Sequence, residues 1–557
     1  MNRLLMFLAI GLCAAPAVAQ DTLASDAPPA YDQDAAPADA APARGGTGQK
    51  YISPYIELGQ IVTADLTNDD VLTYSEVAAG VDAGISTRNS EAQVSYRYER
   101  DIAWSKHDHD SDYHEGLARA AVGVAPGVSL EGGALATRSR ADIRGGAPAV
   151  LSGNVDNVSQ VYAVYAGPTI GTHVGPVGIS ASYRYGYTKV EDPSFTPLDP
   201  GQPRLNNFDS AHSNVLQGSL SIKSGDVLPV GVTVSGGWDR EDAHQLDQRY
   251  DGKFARGDVV LPVSRTLALE AGVGYEKIEI SQRDPVVDAG GAPVVDNNGR
   301  FITDKSSPRR IAYRTDGLIY DAGVLWKPSP RTQLEAHVGH RYGSTSYAGN
   351  FNWAVSESLG AQVVVYDEVD TFARQLRNGI DNLPTSFVTG NGVFGNRFNG
   401  CTFGTSGAAA GGCLNNVFQS ISSSGYRARG IDAVIVASRG PVRSGFGVGY
   451  AQRHFYAPSG NTDFTISGVD DESYYAQYFL SRALDSRSSI EGDLYADYYD
   501  SGIPGAGHTF GTGATGSYNR SFGRIQTVAS LGLFAYDADA ADKNISAQAL
   551  ISARYQF

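Results

Sequence analysis

The feature that most constrains this chain is a period of two in its apolar residues, which begins near Tyr51 and continues to the last residue. In VGISASYRYGY (177–187), Val, Ile, Ala and Tyr alternate with Ser, Arg and Gly, and TLALEAGVGYE (266–276) alternates in the same way. Side chains on a β-strand point to opposite faces in turn, so each segment has one apolar face and one polar or glycine face. The chain is therefore predicted to be almost entirely β.

About 22 such segments follow one another, and joining or splitting a hairpin would keep the count within roughly 20–24. The connections after even-numbered segments are short, such as TRNS (87–90) and SRGP (438–441), whereas those after odd-numbered segments are often long, such as 281–311 and 370–425. Short periplasmic turns and long external loops are typical of outer-membrane barrels. The predicted fold class is all-β: a closed antiparallel transmembrane β-barrel.

The apolar face of each segment is expected to meet lipid, and the polar face to line a watery lumen. Aromatic residues near segment ends, including Tyr183, Tyr187, Trp326 and Tyr342, suit the headgroup level of a bilayer. Charges of both signs on the other face would be costly in a dry core unless they were paired. The candidate lumen-lining residues are Arg97, Glu99, Arg119, Glu131, Arg184, Asp321, Glu335, Arg341, Glu491 and Asp493.

The N-terminal region differs from the rest of the chain. Residues 1–19 combine Arg3, an apolar run and the small-residue pattern Ala17-Val18-Ala19, which predicts a secretory signal peptide. Residues 20–50 are rich in Ala, Pro and Asp and are predicted to be a disordered periplasmic tether. The barrel is expected to occupy 51–557. Because the tether is much too short for a folded plug, the plugged TonB-dependent receptor class is not expected.

Composition excludes two further classes. The formal charge of −16 and the pI near 5.1 argue against a nucleic-acid partner, whose phosphates need a basic surface. After the signal peptide, no apolar run approaches the roughly 20 residues that a membrane-spanning helix requires.

The chain ends in ISAQALISARYQF, with apolar residues at every second position and Phe557 last. This ending resembles the C-terminal signature of bacterial outer-membrane β-barrel proteins. The resemblance implies a location in the outer membrane of a Gram-negative bacterium, and recognition of Tyr555 and Phe557 by the barrel-assembly machinery. Separately, the even number of predicted strands places the last strand beside the first. In its length, acidic Pro/Ala tether and continuous barrel, the chain further resembles the β-barrel porin 2 group, some members of which are associated with extracellular polysaccharide systems.

The longest predicted external loop, 370–425, is a candidate for narrowing the lumen. Loops of this length without secondary structure are uncommon and are usually functional. It carries Arg374, Arg377 and Arg397, and we expect it either to fold into the lumen as a constriction or to remain a mobile external loop. Cys401 and Cys413, the two cysteines after the signal peptide, are predicted to form a disulfide, with two free thiols as the alternative.

These features predict a porin-like passive channel for small hydrophilic solutes, with outer-membrane lipid as its surroundings and homo-oligomerisation left open. The alternatives are a structural or export barrel for extracellular polysaccharide and, third, an outer-membrane hydrolase. GTSGA (404–408) lacks the G-x-S-x-G nucleophile pattern, and no other nucleophile and base pair stands out, so no enzyme is expected. KHDHDSDYHE (106–115) could ligate a metal, but an acidic solvated loop tip is the simpler interpretation. No metal and no cofactor are predicted.

Overall fold

The computed structural model describes residues 49–67, 70–104, 110–143, 157–191, 205–388, 400–414, 419–458, 466–503, 505–538 and 541–557. The predicted signal peptide, nearly all of the tether, the loop residues 105–109 and Arg397 lie outside this set. The first strand begins at Gln49, just within the predicted tether. Among the described residues, no helix is both long and apolar enough to cross a bilayer.

Within these described ranges, twenty-two strands form one sheet, and a separate two-stranded hairpin and one α-helix lie between two of them. The wall strands are β1 Gln49–Asp65, β2 Asp70–Ser86, β3 Ser90–Ala103, β4 Ser111–Ala125, β5 Val128–Arg140, β6 Val158–Val174, β7 Val177–Val190, β8 Ser210–Ile222, β9 Gly231–Ala243, β10 Arg249–Pro262, β11 Leu267–Gln282, β12 Arg310–Ser329, β13 Thr332–Arg341, β14 Ser344–Ser356, β15 Leu359–Asp370, β18 Gly425–Arg439, β19 Val442–Tyr456, β20 Asp470–Ala483, β21 Ser488–Asp500, β22 His508–Phe522, β23 Ile525–Ala538 and β24 Ala541–Gln556. Between β15 and β18 lie α1 Phe372–Asp381 and the hairpin of β16 Cys401–Ser406 and β17 Ala409–Cys413.

The sheet closes on itself. Each wall strand pairs antiparallel with the next one along the chain, and β24 pairs antiparallel with β1, where Ile56 is opposite Tyr555. The predicted all-β, closed antiparallel barrel is confirmed, and each of the 22 predicted segments is a strand. Because the sheet is closed, no strand edge is left unpaired, and unpaired backbone groups at an edge would be unfavourable in a bilayer.

The two rims of the barrel differ in the length of their connections. One rim carries short turns, such as 125–128, 329–332 and 439–442, and the other carries the longest connections. In outer-membrane barrels these are the periplasmic and external rims, respectively. The external connection between β13 and β14 is nevertheless tight, and its Tyr342 and Gly343 have φ of 55° and 74°, the signs that a two-residue type I′ hairpin turn requires.

The outward face of the barrel is an apolar belt. Leu318, Leu531 and Ile551 are 67, 69 and 73% exposed, although each is a large apolar side chain. A closed barrel with such a belt belongs in a membrane, and this protein is therefore an outer-membrane barrel. The prediction that Tyr342 lies at the headgroup level is wrong: it is buried at the external rim, with the Arg341 and Arg427 guanidinium groups 4.7 and 5.2 Å from its ring centre.

Candidate functional site

The described residues between β15 and β18, which are 371–388, 400–414 and 419–424, lie inside the barrel and are named here the lumen segment. Its helix α1 packs against β5–β8, far around the wall from the strands that the segment connects. Near its other end, the Ser420 carbonyl accepts a 2.8 Å hydrogen bond from Arg453 of β19, and the Ile421 amide donates to the carbonyl of Arg140 of β5. Since β16 and β17 are not in the wall, β5 is the fifth and β19 the seventeenth of 22 wall strands, so the segment bridges opposite walls.

The sequence forms a helix at 372–381 for local reasons. The side chain of Thr371 accepts a hydrogen bond from the Arg374 amide and so caps the first turn. Phe372, Leu376 and Ile380 recur every four residues, which places them on one face, and all three are buried. The helix thus has one apolar face that requires an apolar surface to pack against.

The wall of β4–β8 provides that apolar surface. Its inward positions are apolar where the helix lies, which departs from the polar face that the sequence predicts for the lumen. The cluster formed with the lumen segment includes the buried wall residues Leu117, Leu135, Val161, Ala163 and Tyr165. On β5 the inward position opposite Ile380 is Gly133, where a Cβ would come within 2.7 Å of that side chain. A dry interface of this kind stabilises the helix in one place against the wall.

Arg374 is the main polar anchor of α1, and its side chain is only 1% exposed. Its Nε and Nη2 donate to the Asp239 carboxylate of β9 at 2.8 and 2.7 Å, and its Nη1 donates to Asp370 at 2.6 Å. The guanidinium also lies 3.7 Å from the ring centre of Tyr250. Arg377, one turn later, donates to Ser213 at 3.0 Å and reaches Asp239 at 3.5 Å. Of the three predicted constriction arginines, Arg374 and Arg377 therefore lie inside the barrel, and Arg397 lies outside the described residues.

The C-terminal end of α1 is held by Arg119 of β4. Its Nε and Nη2 donate to the carbonyl oxygens of Leu383 and Asp381 at 3.0 and 2.7 Å. These carbonyls belong to the end of a helix, where they have no partner within the helix. The Asp381 carboxylate in turn accepts a 2.6 Å hydrogen bond from Tyr165.

Beyond α1 the lumen segment descends to the periplasmic rim. The side chain of Gln93, near the periplasmic end of β3, exchanges two 2.9 Å hydrogen bonds with the backbone of Phe387. The hydroxyl of Thr385 donates to Glu91 of the same strand at 2.7 Å. The amide of Gly407, at the tip of the β16–β17 hairpin, donates to the carbonyl of Glu357 in the turn between β14 and β15 at 2.9 Å. The segment therefore extends through the full depth of the barrel.

The β16–β17 hairpin is closed by the Cys401–Cys413 disulfide, which confirms the prediction. It lies on the wall of β15, β18 and β19, opposite the wall that holds α1. On β19 the inward residue beneath the disulfide is Gly447, where a Cβ would come within 2.5 Å of the Cys401 sulfur. The Cys401 amide donates to Gln477 of β20 at 2.6 Å. The segment is therefore anchored on both sides of the lumen.

External loops pack over the entrance beside α1. Arg300, in the loop between β11 and β12, donates to the Val190 carbonyl at 3.1 Å, and the Gln245 side chain donates to the carbonyl of Phe301 at 2.8 Å. Asp247 accepts from Lys305 at 2.9 Å. Partial burial acts to raise the pKa of Asp247, but the hydrogen bond and charge of Lys305, with neighbouring arginines, leave that pKa below its usual value. The loops are thus held in place by hydrogen bonds to backbone carbonyls and by the ion pair of Asp247 with Lys305.

The predicted lumen-lining residues all lie at inward positions of their strands, and most are paired. Glu131 and Arg184 form a 2.6 Å ion pair, and Arg341 pairs with Glu276. Glu491 and Asp493 lie next to each other on the inner face of β21, and Asp493 is exposed. Asp321 and Glu335 belong to a further cluster on β10–β13. The role of these ten residues in selecting a solute stays a prediction.

Arg97 and Glu99 belong to a buried network at the closure of the barrel, not to a solvated lining. Arg97 is 3% exposed and pairs with Glu57 at 2.7 Å, with Glu99 at 2.7 Å and with Glu76. Glu57 of β1 also accepts from Arg554 of β24 at 2.8 Å. Sequence reasoning missed Glu57 and Arg554, although Arg554 is an inward residue of the recognised final strand. The predicted assembly residues Tyr555 and Phe557 are 37 and 64% exposed and contact each other edge to face.

Comparison with known proteins gives structural likeness alone. No family model matches the chain, and no curated protein sequence matches it. The alcaligin outer-membrane receptor FauA from Bordetella pertussis is similar at 12% identity and a TM-score of 0.38, covering 90% of this chain and 76% of that chain. The FrpB iron transporter from Neisseria meningitidis is similar at 9% identity and a TM-score of 0.42, covering 91% of this chain and 83% of that chain. The ferric-catecholate import receptor Fiu from E. coli K12 is similar at 10% identity and a TM-score of 0.43, covering 91% of this chain and 82% of that chain. Likeness this distant carries no information about a ligand, and resemblance to the porin 2 group gains no support from it.

Proposed function

We propose that this protein is an outer-membrane channel for small hydrophilic solutes, whose conductance is limited by the lumen segment. The observation that carries the proposal is the position of the lumen segment, whose described residues contact opposite walls and reach both rims. A 22-stranded barrel encloses a wide lumen that must be narrowed if the membrane is to stay a barrier. The inward charges of the remaining wall would then act on whatever passes beside the segment.

Planar-bilayer recording of the purified full chain tests this proposal. We expect a small conductance from the full chain and a much larger one from a variant in which residues 374–420 are replaced by a short Gly/Ser linker. The matched control shortens the external loop between β11 and β12 by removing its exposed tip 288–292, which leaves the lumen segment and the contacts of Arg300 and Phe301 in place. Retained heat-modifiable migration on a denaturing gel would show that each variant still forms a barrel.

Each outcome of the recording has a definite meaning. An equal conductance of the full chain and the 374–420 variant would contradict the proposed limiting role of the segment. A closed full chain with an open 374–420 variant would support the limiting role and show that opening requires a signal. If both remained closed, the channel proposal would fail, and the alternative of a structural or export barrel for extracellular polysaccharide would replace it.

A further inference from the structure

We infer that the inner wall of β11–β13 carries a binding site for one divalent transition-metal ion, formed by Glu270, Glu335 and His337. The candidate ligand atoms, one from each residue, lie within 4.8 Å of one another. All three side chains are at least 88% buried on the inner face. The site lies on a different part of the wall from the strands that hold α1, and it goes beyond the proposed channel function.

The register of the strands explains why these residues meet. Glu270 of β11 is opposite Gly323 of β12, and Gly323 is opposite His337 of β13. A Cβ at Gly323 would overlap the imidazole, so the absence of a side chain there lets residues from two non-adjacent strands come together. Glu335 is two residues before His337 and therefore faces the same side.

The two nearest contacts have the spacing that a shared ion needs. Nε2 of His337 lies 3.1 Å from Oε2 of Glu270 and 3.2 Å from Oε1 of Glu335. Two ligands bound tetrahedrally to zinc at its usual distances lie about 3.4 Å apart. An imidazole nitrogen and carboxylate oxygens are ligand types that zinc accepts, and three protein ligands with one open position is the ligand count of catalytic zinc sites. A second glutamate stands here where the zinc set of two histidines and one glutamate has its second histidine.

The hydrogen bonds around the imidazole are also those of a metal ligand. Nδ1 of His337 lies 3.2 Å from Oδ1 of Asp321, and Asp321 is held by Arg256 at 2.9 Å. A carboxylate on one ring nitrogen fixes the tautomer and leaves the other nitrogen available to the metal. Asp321 is thus a positioning residue for His337.

Without an ion, the cluster leaves an acceptor unsatisfied. A single Nε2 proton cannot point at two carboxylates at once, and Oε2 of Glu270, although 3.1 Å from Nε2, is a buried oxygen without a hydrogen bond of good geometry. Oδ2 of Asp258, on the neighbouring strand β10, is likewise buried without a hydrogen bond. Four carboxylates, including Asp321, face one arginine and one histidine here, so acidic groups outnumber basic ones in a buried cluster. A divalent cation would reduce this excess of negative charge and supply the missing partner.

Zinc binding by the full chain tests the inference. The protein, purified in detergent and stripped with EDTA, is titrated with ZnCl₂ by calorimetry, and bound zinc is measured after dialysis. We expect about one tightly bound zinc per chain. The change His337→Ala should abolish that binding, and Asp321→Asn should weaken it by about 10–100-fold, as loss of an outer hydrogen-bond partner does. The matched control is His340→Ala on the outward face of β13, which should leave zinc binding unchanged.

Two results would overturn the inference. One is the absence of stoichiometric zinc from the heat-modifiable, folded wild type, in which case a protonated His337 fills the position of the ion. The other is equal zinc binding by His337→Ala and His340→Ala, which would place the zinc elsewhere. If His337→Ala failed to fold, Glu270→Gln would replace it, because its amide keeps the volume and removes the charge. Unchanged zinc binding by folded Glu270→Gln would also contradict the site.

Discussion

Replacing Arg374 with alanine should release α1 from the wall while leaving the barrel intact. Arg374 belongs to the lumen segment and not to a wall strand, so its loss breaks no ladder hydrogen bond. It does leave the carboxylates of Asp239 and Asp370 without the guanidinium that contacts both. Removing one partner of a buried ion pair costs about 3–5 kcal/mol. Because Arg377 still reaches Asp239 at 3.5 Å, we expect the lower end of this range, about 3 kcal/mol.

That cost falls on the docked state alone, since water would solvate both carboxylates once the helix leaves. A change of about 3 kcal/mol multiplies the ratio of undocked to docked states by roughly 150. Single-channel recording should therefore show a markedly higher open probability for Arg374→Ala than for the wild type. Arg439→Ala, at an exposed arginine of a periplasmic turn, is the matched control. Equal open probability of Arg374→Ala and Arg439→Ala, with both barrels folded, would refute the reasoning.

Three further changes separate the barrel from its contents. Glu57→Gln removes the ion pair with Arg554 across the β1–β24 closure, which should lower the free energy of unfolding by about 3 kcal/mol. The temperature at which the folded gel band converts to the unfolded band should therefore fall. Replacing both Cys401 and Cys413 with serine removes a constraint of about 3 kcal/mol on a short loop, and should increase current fluctuations without changing that temperature. Gly447→Val places a side chain where the Cys401 sulfur lies, at a cost of about 1–3 kcal/mol, and should raise conductance by displacing the hairpin.

The controls for these changes use neutral positions. Asp226→Asn, in an exposed periplasmic turn, should leave the transition temperature unchanged, and an equal fall would contradict a special role for Glu57. Reductant added to the wild type should reproduce the double-serine variant, and steady currents in both would argue against the disulfide. Gly516→Val lies where a Cβ meets open space, and a conductance like that of Gly447→Val would show that the hairpin is not what moved.

The strands were predictable because their signal is local. Alternation along one strand reports which side chain meets lipid, and no knowledge of the partner strand is needed. The helix α1 also had a local signal in the four-residue spacing of Phe372, Leu376 and Ile380. That signal is short, and it lies among arginines and glycines that indicate a loop equally well. The helix packs against the apolar inward positions of β4–β8. In the sequence these positions look like exceptions on an otherwise polar face, so they did not indicate a surface for a helix.

The contacts that define the site were beyond the reach of sequence patterns. Arg374 and Asp239 are 135 positions apart, and Arg119 and Leu383 are 264 apart. Such pairs form because strand register and closure bring two walls around one segment, and no periodicity encodes a distance across a lumen. The same holds for His337 and Glu270, whose meeting depends on a glycine on the strand between them.

The lumen segment leaves and rejoins the wall at adjacent points, since Asp370 and Tyr426 are register partners at the external rim. Its hairpin tip contacts the periplasmic turn of Glu357 at the other rim. Because its two ends are paired neighbours in the wall, the whole segment can be cut out and its ends rejoined without breaking the hydrogen-bond ladder of any wall strand.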